Sequence, residues 1–269
     1  GLGPDDPKST FGTTKNLINK FGKRRVFDMP TAENSMTGIA IGSSIGGFRP
    51  IISHQRVEFS LLSTDQIINQ AAKWNYMSAG KMKVPIVIRM IIGRGFGQGP
   101  QHSQTLESLF SNIPGLKVVC PATTYDAKGM LISSIEDNNP IIFYEHRWLH
   151  SNFGTVPKKY YKVPIGKSKI LKKGSDITIV SSSLMTIESL KTAKILKSLN
   201  ISSEIIDLRT LRPLNIDPIV KSVKKTKRLL VVDNGWMKYG ISSEIIASVI
   251  ENIKNLSKIS IKRIGISDN

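Results

Sequence analysis

The chain has 269 residues, 40% of them hydrophobic, a formal net charge of +18 and a single cysteine, Cys120. That length and apolar content suit two domains with a substantial core, and one cysteine excludes an internal disulfide framework and suits a reducing compartment. No apolar run reaches the ~18 residues that cross a membrane, and the opening GLGPDDPKSTFGTT has neither the basic start nor the apolar run of a signal peptide; the cytoplasm, or an organelle matrix, is the expected location.

Strand-like and helix-like patterns alternate from there. Residues 49–54 (RPIISH) read as a strand. Residues 64–80 read as a helix with Ile67, Ile68, Ala71, Ala72 and Met77 on or near one face, ended by Gly80. Residues 84–92 (VPIVIRMII) are apolar at almost every position, as in a strand buried on both faces of a parallel sheet. A helix over 103–112, a strand over 115–121, a helix over 124–137 capped by Thr123 or Thr124, and a strand over 138–146 follow. The pattern is that of a doubly wound α/β domain, 1–150, whose reactive edge lies at the carboxyl ends of its strands.

Prolines, glycines and lysines without helical period mark a linker over 151–174. A second α/β domain, 175–269, reads as strands over 176–183, 202–208 and 227–234, helices over 186–199, 216–226 and 241–253, and a last strand before the chain stops, so that this domain is expected to lack its end. Many of the lysines lie here, scattered over turns and polar helix faces. A basic face that binds nucleic acid concentrates its charge; this spread fits solvation, an acidic partner or a compositional bias better, and nucleic acid is disfavoured.

The stretch from Gly93 to Gly99 has glycine at every second position. It is not a dinucleotide fingerprint: the sixth position counted from Gly93 is Gln98, and from Gly95 it is Pro100. It is not a phosphate-binding G-x-x-x-x-G-K loop or an RGG tract. The four histidines and one cysteine have no metal-ligand spacing, and there is no G-x-S-x-G nucleophile elbow. Two readings stay open: a plain connector, or a mobile loop over a pocket into which the following helix delivers His102.

The segments RVFDMPTAENSMTGIAIGSSIGGFRPI, DQIINQAAKWNYMSAGKMKVPIVIR, QHSQTLESLFSNIPGLKVV and DAKGMLISSIEDNNPIIFYEHR resemble the β subunit of the E1 component of pyruvate and branched-chain 2-oxoacid dehydrogenases. KGSDITIVSSSLM, IIDLRTLRPLNID and LLVVDNGWMKYGISSEI resemble the transketolase-type C-terminal domain that follows in that subunit, so that the likeness runs from about residue 11 to the end. The family uses thiamine diphosphate. The resemblance implies that Glu33 shares a proton with N1′ of its aminopyrimidine, which needs a partly buried carboxyl; read alone, Glu33 is equally a first-turn glutamate favouring a helix N-terminus. It places Phe59 against the pyrimidine, Gln55 one helical turn earlier at the pocket rim, and His102 of QHSQ where it orients or protonates the substrate or helps pass on the acyl group. His54, His146 and His150 have no comparable claim.

The chain departs from the family in its loop, RMIIGRG, which adds the cation Arg94; with Gln101 it is expected to meet an anionic group at the substrate entrance. No Gly-Asp-Gly occurs in the chain, and the family holds the diphosphate and Mg²⁺ with that motif. The resemblance therefore implies an α subunit carrying Mg²⁺, an α₂β₂ assembly, and a lipoyl-bearing E2 acyltransferase as acceptor. Two alternatives stand beside it: the C-terminal half of a split transketolase acting on sugars, and a basic scaffold or nucleic-acid-binding protein that keeps the fold.

Overall fold

The structure, a computed structural model, describes residues 12–267. After a short helix α1 (Leu17–Phe21), the first domain runs α2 (Glu33–Ile45), β1 (Ile51–His54), α3 (Trp74–Met77), β2 (Val87–Ile92), α4 (Glu107–Ser111), β3 (Lys117–Val119), α5 (Thr124–Glu136) and β4 (Ile141–His146). The second runs β5 (Lys169–Lys172), β6 (Ile177–Ser181), α6 (Ser183–Ser198), β7 (Ser203–Asp207), β8 (Thr210–Arg212), α7 (Asp217–Thr226), β9 (Arg228–Trp236), α8 (Ile241–Glu251) and β10 (Ser260–Ile266).

Two five-stranded sheets result, in the orders β1-β2-β4-β3-β8 and β10-β9-β6-β7-β5. All pairings are parallel except the edges β8 and β5, which run antiparallel to β3 and β7. The expectation of α/β domains holds, and each sheet is mixed by one antiparallel edge. In β2 every side chain but Arg89 is buried, as helices on both faces of a parallel sheet require. Arg89 is matched by Glu145 of β4, Nε to Oε1 at 2.6 Å. The α5 cap forms as the sequence implies: Thr123 accepts the Asp126 N–H.

Three local expectations are corrected. The helix over 64–80 is not one α-helix: a 3₁₀ helix (Val57–Ser63) leads into a π-helical stretch (Gln66–Ala71) and then α3. The wider π turn consumes an extra residue and rotates the turns after it, so Ile67, Ala71 and Ala72 are buried while Met77 is 58% exposed. The helix after the glycine loop begins only at Glu107, because Leu106 is left-handed (φ 50°) and interrupts it; His102 instead ends a separate 3₁₀ turn, Pro100–His102. Gln55 is not a helical turn before Phe59: it lies in the bend between β1 and the 3₁₀ helix.

The expected linker over 151–174 is corrected at its end, where residues 169–172 form the edge strand β5 paired with β7; the part before it lies against the first domain. Val163 is buried and its N–H bonds to the Gly129 carbonyl of α5, where any side chain in place of the glycine would strike Val163 and Tyr161. The two domains are further tied by β8, which belongs in sequence to the second half yet extends the first sheet, and by the buried Arg209–Asp126 ion pair, 2.5 Å. Among the described residues no helix is long and apolar enough to cross a membrane.

Candidate active site

The carboxyl ends of β1, β2 and β4 gather the chemistry-bearing residues. His54 ends β1 and leads into Gln55, Arg56 and Phe59; β2 runs out into Gly93 and the glycine loop; β4 ends at His146, followed by a 3₁₀ turn, Arg147–Leu149. Gly93, Gly95, Gly97 and Gly99 all have positive φ, 110°, 91°, 65° and 73°. The alternation in the sequence is therefore a run of left-handed turns that only glycine makes without strain. Gly93 is also constrained from below, since a Cβ there would lie 2.5 Å from Cε1 of the His146 ring.

The loop curls back so that His102 meets the 3₁₀ helix after β1. The rings of Phe59 and His102 stand 5.2 Å apart, tilted by 42°, and both residues are half-buried. Nδ1 of His102 is buried and has no hydrogen-bond partner among the described residues. Two residues expected to act together are thus neighbours. Glu33 is the first residue of α2, half-buried, with Pro30 and Thr31 just before it. Gln55 is half-buried at the rim, and Gln101 and Arg94 are exposed. The Arg94 carbonyl accepts the Trp148 indole N–H at 2.9 Å. The loop tip is pinned by Phe96, whose ring packs 4.6 Å from that of Trp148 and lies beneath the Arg147 guanidinium at 4.1 Å.

The structure brings Phe59 and His102 together, with Glu33 at the start of α2, and residues of these kinds are compatible with the pyrimidine half of a thiamine-diphosphate site. An aromatic ring, a half-buried carboxyl at a helix start and an imidazole with an unengaged buried nitrogen are the donor set that an aminopyrimidine and a small anionic substrate require. The other histidines suit acid–base work less well. Burial pulls His54 and His146 down to about 4, and for His146 the charges of Arg56, His150 and Arg94 add to the effect, so both are neutral near pH 7. His150 stands 3.3 Å from Glu145.

Sequence reasoning missed two groups. One is the buried pair Arg56 and Glu58 under the loop, which carried no motif. The other is Glu107, 3% exposed, which shares a cavity of about 60 Å³ between the domains with Asp233. Burial, then the charge of Asp233, pushes Glu107 up to about 8, while hydrogen bonds from Thr105 and Asn234 oppose the shift. A glutamate inside the apolar frame of LESLF was the available signal.

An open catalytic edge on one α/β domain, with a second α/β domain packed against it, is the architecture of transketolase-like proteins. The transketolase pyrimidine-binding domain family matches residues 1–151, and the transketolase C-terminal domain family matches residues 166–269. The acetoin:2,6-dichlorophenolindophenol oxidoreductase subunit beta of Cupriavidus necator is 43% identical over 98% of this chain and 79% of its own length. The pyruvate dehydrogenase E1 component subunit beta of Rickettsia bellii is 41% identical over 91% of this chain and 75% of its own. A solved split-gene transketolase, an inactive beta4 tetramer, matches with TM-score 0.79 at 23% identity, over 100% of this chain and 81% of its own; that likeness is one of fold. The chain belongs to the family of β subunits of thiamine-diphosphate-dependent E1 oxidoreductases.

Proposed function

We propose that this chain supplies the pyrimidine-activating half of an α₂β₂ enzyme that oxidatively decarboxylates a 2-oxoacid, of pyruvate or branched-chain type, and passes the acyl group to a lipoyl-bearing E2. The observation that carries the reading is the Phe59–His102 pair at the carboxyl edge of the sheet, under a loop bearing an exposed cation, Arg94. Relatives named for acetoin and for pyruvate lie at nearly equal identity. Arg94 favours an anionic 2-oxoacid over a neutral hydroxyketone, because a charge-assisted hydrogen bond to a carboxylate contributes about 1.5–3 kcal/mol.

Thiamine diphosphate, when bound, would supply the carbon nucleophile that the oxo group requires. In this reading Glu33 holds a proton at N1′ of the aminopyrimidine, Phe59 covers the ring and Gln55 borders it. His102 orients the substrate and exchanges a proton with it. Arg94 and Gln101 receive its carboxylate. The diphosphate and Mg²⁺ fall to the α subunit, since this chain has no Gly-Asp-Gly. Such a partner is supported by Ile39, Phe48 and Leu62, which lie on α2, just after it and on the 3₁₀ helix, at 60%, 69% and 65% exposure. The cytoplasm or an organelle matrix is the proposed location.

The test is a decarboxylation assay of the chain co-expressed with its α subunit, with thiamine diphosphate, Mg²⁺ and an artificial electron acceptor, comparing pyruvate, branched 2-oxoacids and acetoin. Turnover of a 2-oxoacid that needs both chains and falls about 10²-fold or more in Glu33→Gln supports the reading. Turnover of acetoin alone, or ketol transfer to a sugar phosphate by the same complex, overturns the substrate assignment.

A further inference from the structure

Arg56 is 4% exposed, and its one ion-pair partner among the described residues is Glu58, Nε to Oε2 at 3.5 Å. A buried cation with a single loosely placed counter-charge is a poor source of stability, because desolvation cancels most of the attraction. Burial does pull its pKa below the ordinary arginine value, with Glu58 opposing, and Nη1 has no hydrogen-bond partner among the described residues. A buried polar group in that condition calls for an explanation. Its other bonds supply one. Nη2 donates to the Gly93 carbonyl at 2.6 Å and, more closely still, to the His102 carbonyl.

Gly93 and His102 are the two ends of the glycine loop. The same base is closed by the Gly93 N–H on the Gln104 carbonyl, 3.3 Å, and by the Gln104 N–H on Glu58 Oε1, 2.7 Å. The Arg56–Glu58 pair therefore satisfies three backbone groups at the loop base, and it does so from the 3₁₀ helix that also carries Phe59, or the residue just before it. Loop base, imidazole and aromatic ring are referenced to one rigid element.

We infer that Arg56, braced by Glu58, is a positioning residue that clamps both ends of the glycine loop and so sets His102 against Phe59 for the reaction. Above the clamp the loop is held at its tip by Trp148 and Arg147, and at its base the His102 backbone keeps its place through Arg56. Nη2 carries both bonds while Nε faces Glu58; a lysine ammonium can also donate to two carbonyls but has no second nitrogen for Glu58, so it is expected to hold the base only in part. The inference rests on the reading of His102 as an active-site residue; the clamp itself rests on the hydrogen bonds alone.

The experiment separates the two. In the full chain, amide hydrogen exchange is measured at Gly93 and Gln104 against Gly97, and tryptic cleavage after Arg94 is timed in wild type, Arg56→Gln and Arg56→Lys. A clamped base gives slow exchange at Gly93 and Gln104, fast exchange at Gly97, and cleavage about tenfold faster in Arg56→Gln than in wild type, with Arg56→Lys between. In the complex with the α subunit, kcat for the 2-oxoacid then falls about 10²-fold in Arg56→Gln, as misplacement of a reacting group by about 1 Å does, with KM for thiamine diphosphate unchanged. Exchange at Gly93 and Gln104 as fast as at Gly97 overturns the clamp, whether or not the variants fold. A protected base with unaltered kcat in Arg56→Gln overturns the positioning role. Unaltered kcat in His102→Ala instead removes the assignment of His102 and leaves the clamp standing.

Discussion

Glu107 and Asp233 meet across the domain boundary, lining one small cavity from the first and second domains respectively. Burial and the nearby Asp233 charge hold Glu107 protonated up to about pH 8. Asn234, beside Asp233 in sequence, donates to Glu107 Oε1 at 3.2 Å, so at this point the domains are joined by a hydrogen bond to a carboxylic acid, beside the Arg209–Asp126 ion pair elsewhere.

That proton sets the sign of the pH dependence. The folded state binds a proton that the unfolded chain releases near 4.5, the ordinary glutamate value. This contribution is complete below that pH and is lost as pH rises through about 8, at a slope of up to about 1.4 kcal/mol per pH unit. Asp207, pushed up to about 7 chiefly by burial, acts in the same direction over a lower window. Thermal unfolding from pH 6 to 9 should show a falling Tm, and Glu107→Gln should flatten the upper part of that fall while leaving the portion due to Asp207. Parallel curves for the two proteins would contradict the assignment.

Glu145 behaves in the opposite sense. Burial opposes its ionisation, but hydrogen bonds from His150 and Arg89 prevail and hold it at about 2. Its stabilisation is present above 4.5 and lost as pH falls toward 2. Glu145→Gln leaves the Arg89 guanidinium, 11% exposed, without its countercharge; a loss of about 3 kcal/mol is expected at pH 7. Urea titrations should show it, with a gentler decline between pH 4.5 and 2 in the variant than in wild type.

Gly93→Ala meets two obstacles at once, a φ of 110° and the His146 ring 2.5 Å from the added carbon. The expected cost is about 1–3 kcal/mol, with a larger loss of kcat than Gly97→Ala produces, since an added Cβ at Gly97 meets nothing within 4 Å. Equal effects of the two substitutions on kcat would show that the loop base has no special role.

Arg94→Ala tests the substrate entrance. Its side chain is exposed, and the loop is held there through the backbone carbonyl by Trp148, so truncation should leave the loop in place. KM for the 2-oxoacid should rise about tenfold or more with kcat little altered, the signature of a lost binding contact. An unchanged KM would remove Arg94 from the substrate site.

The elements and their order were legible because burial imposes a local period. The run VIRMII needs no partner to be read as a doubly covered strand, and the alternating glycines announce positive φ before any fold is known. The motifs also carried the family, and they named Phe59 and His102. The path of the helix after β1 was not legible, because a π turn shifts the buried face without changing the residues that fill it. The Arg56–Glu58 pair was equally hidden: each looks like a surface charge until the loop it holds is folded over it.

Most strands and helices, the family and the glycine alternation were thus legible in the sequence, since they depend on residues close together in the chain, whereas the short edge strands β5 and β8 were not. Folding in three dimensions was needed to bring β8 out of its own half to extend the first sheet beside β3, to face Glu107 with Asp233, and to let one guanidinium gather Gly93 and His102. Those pairings join residues far apart in sequence, and no local pattern encodes them: the β8 backbone and the Arg56 guanidinium find the hydrogen-bonding partners that burial demands, while Glu107, facing a like charge, keeps its proton instead.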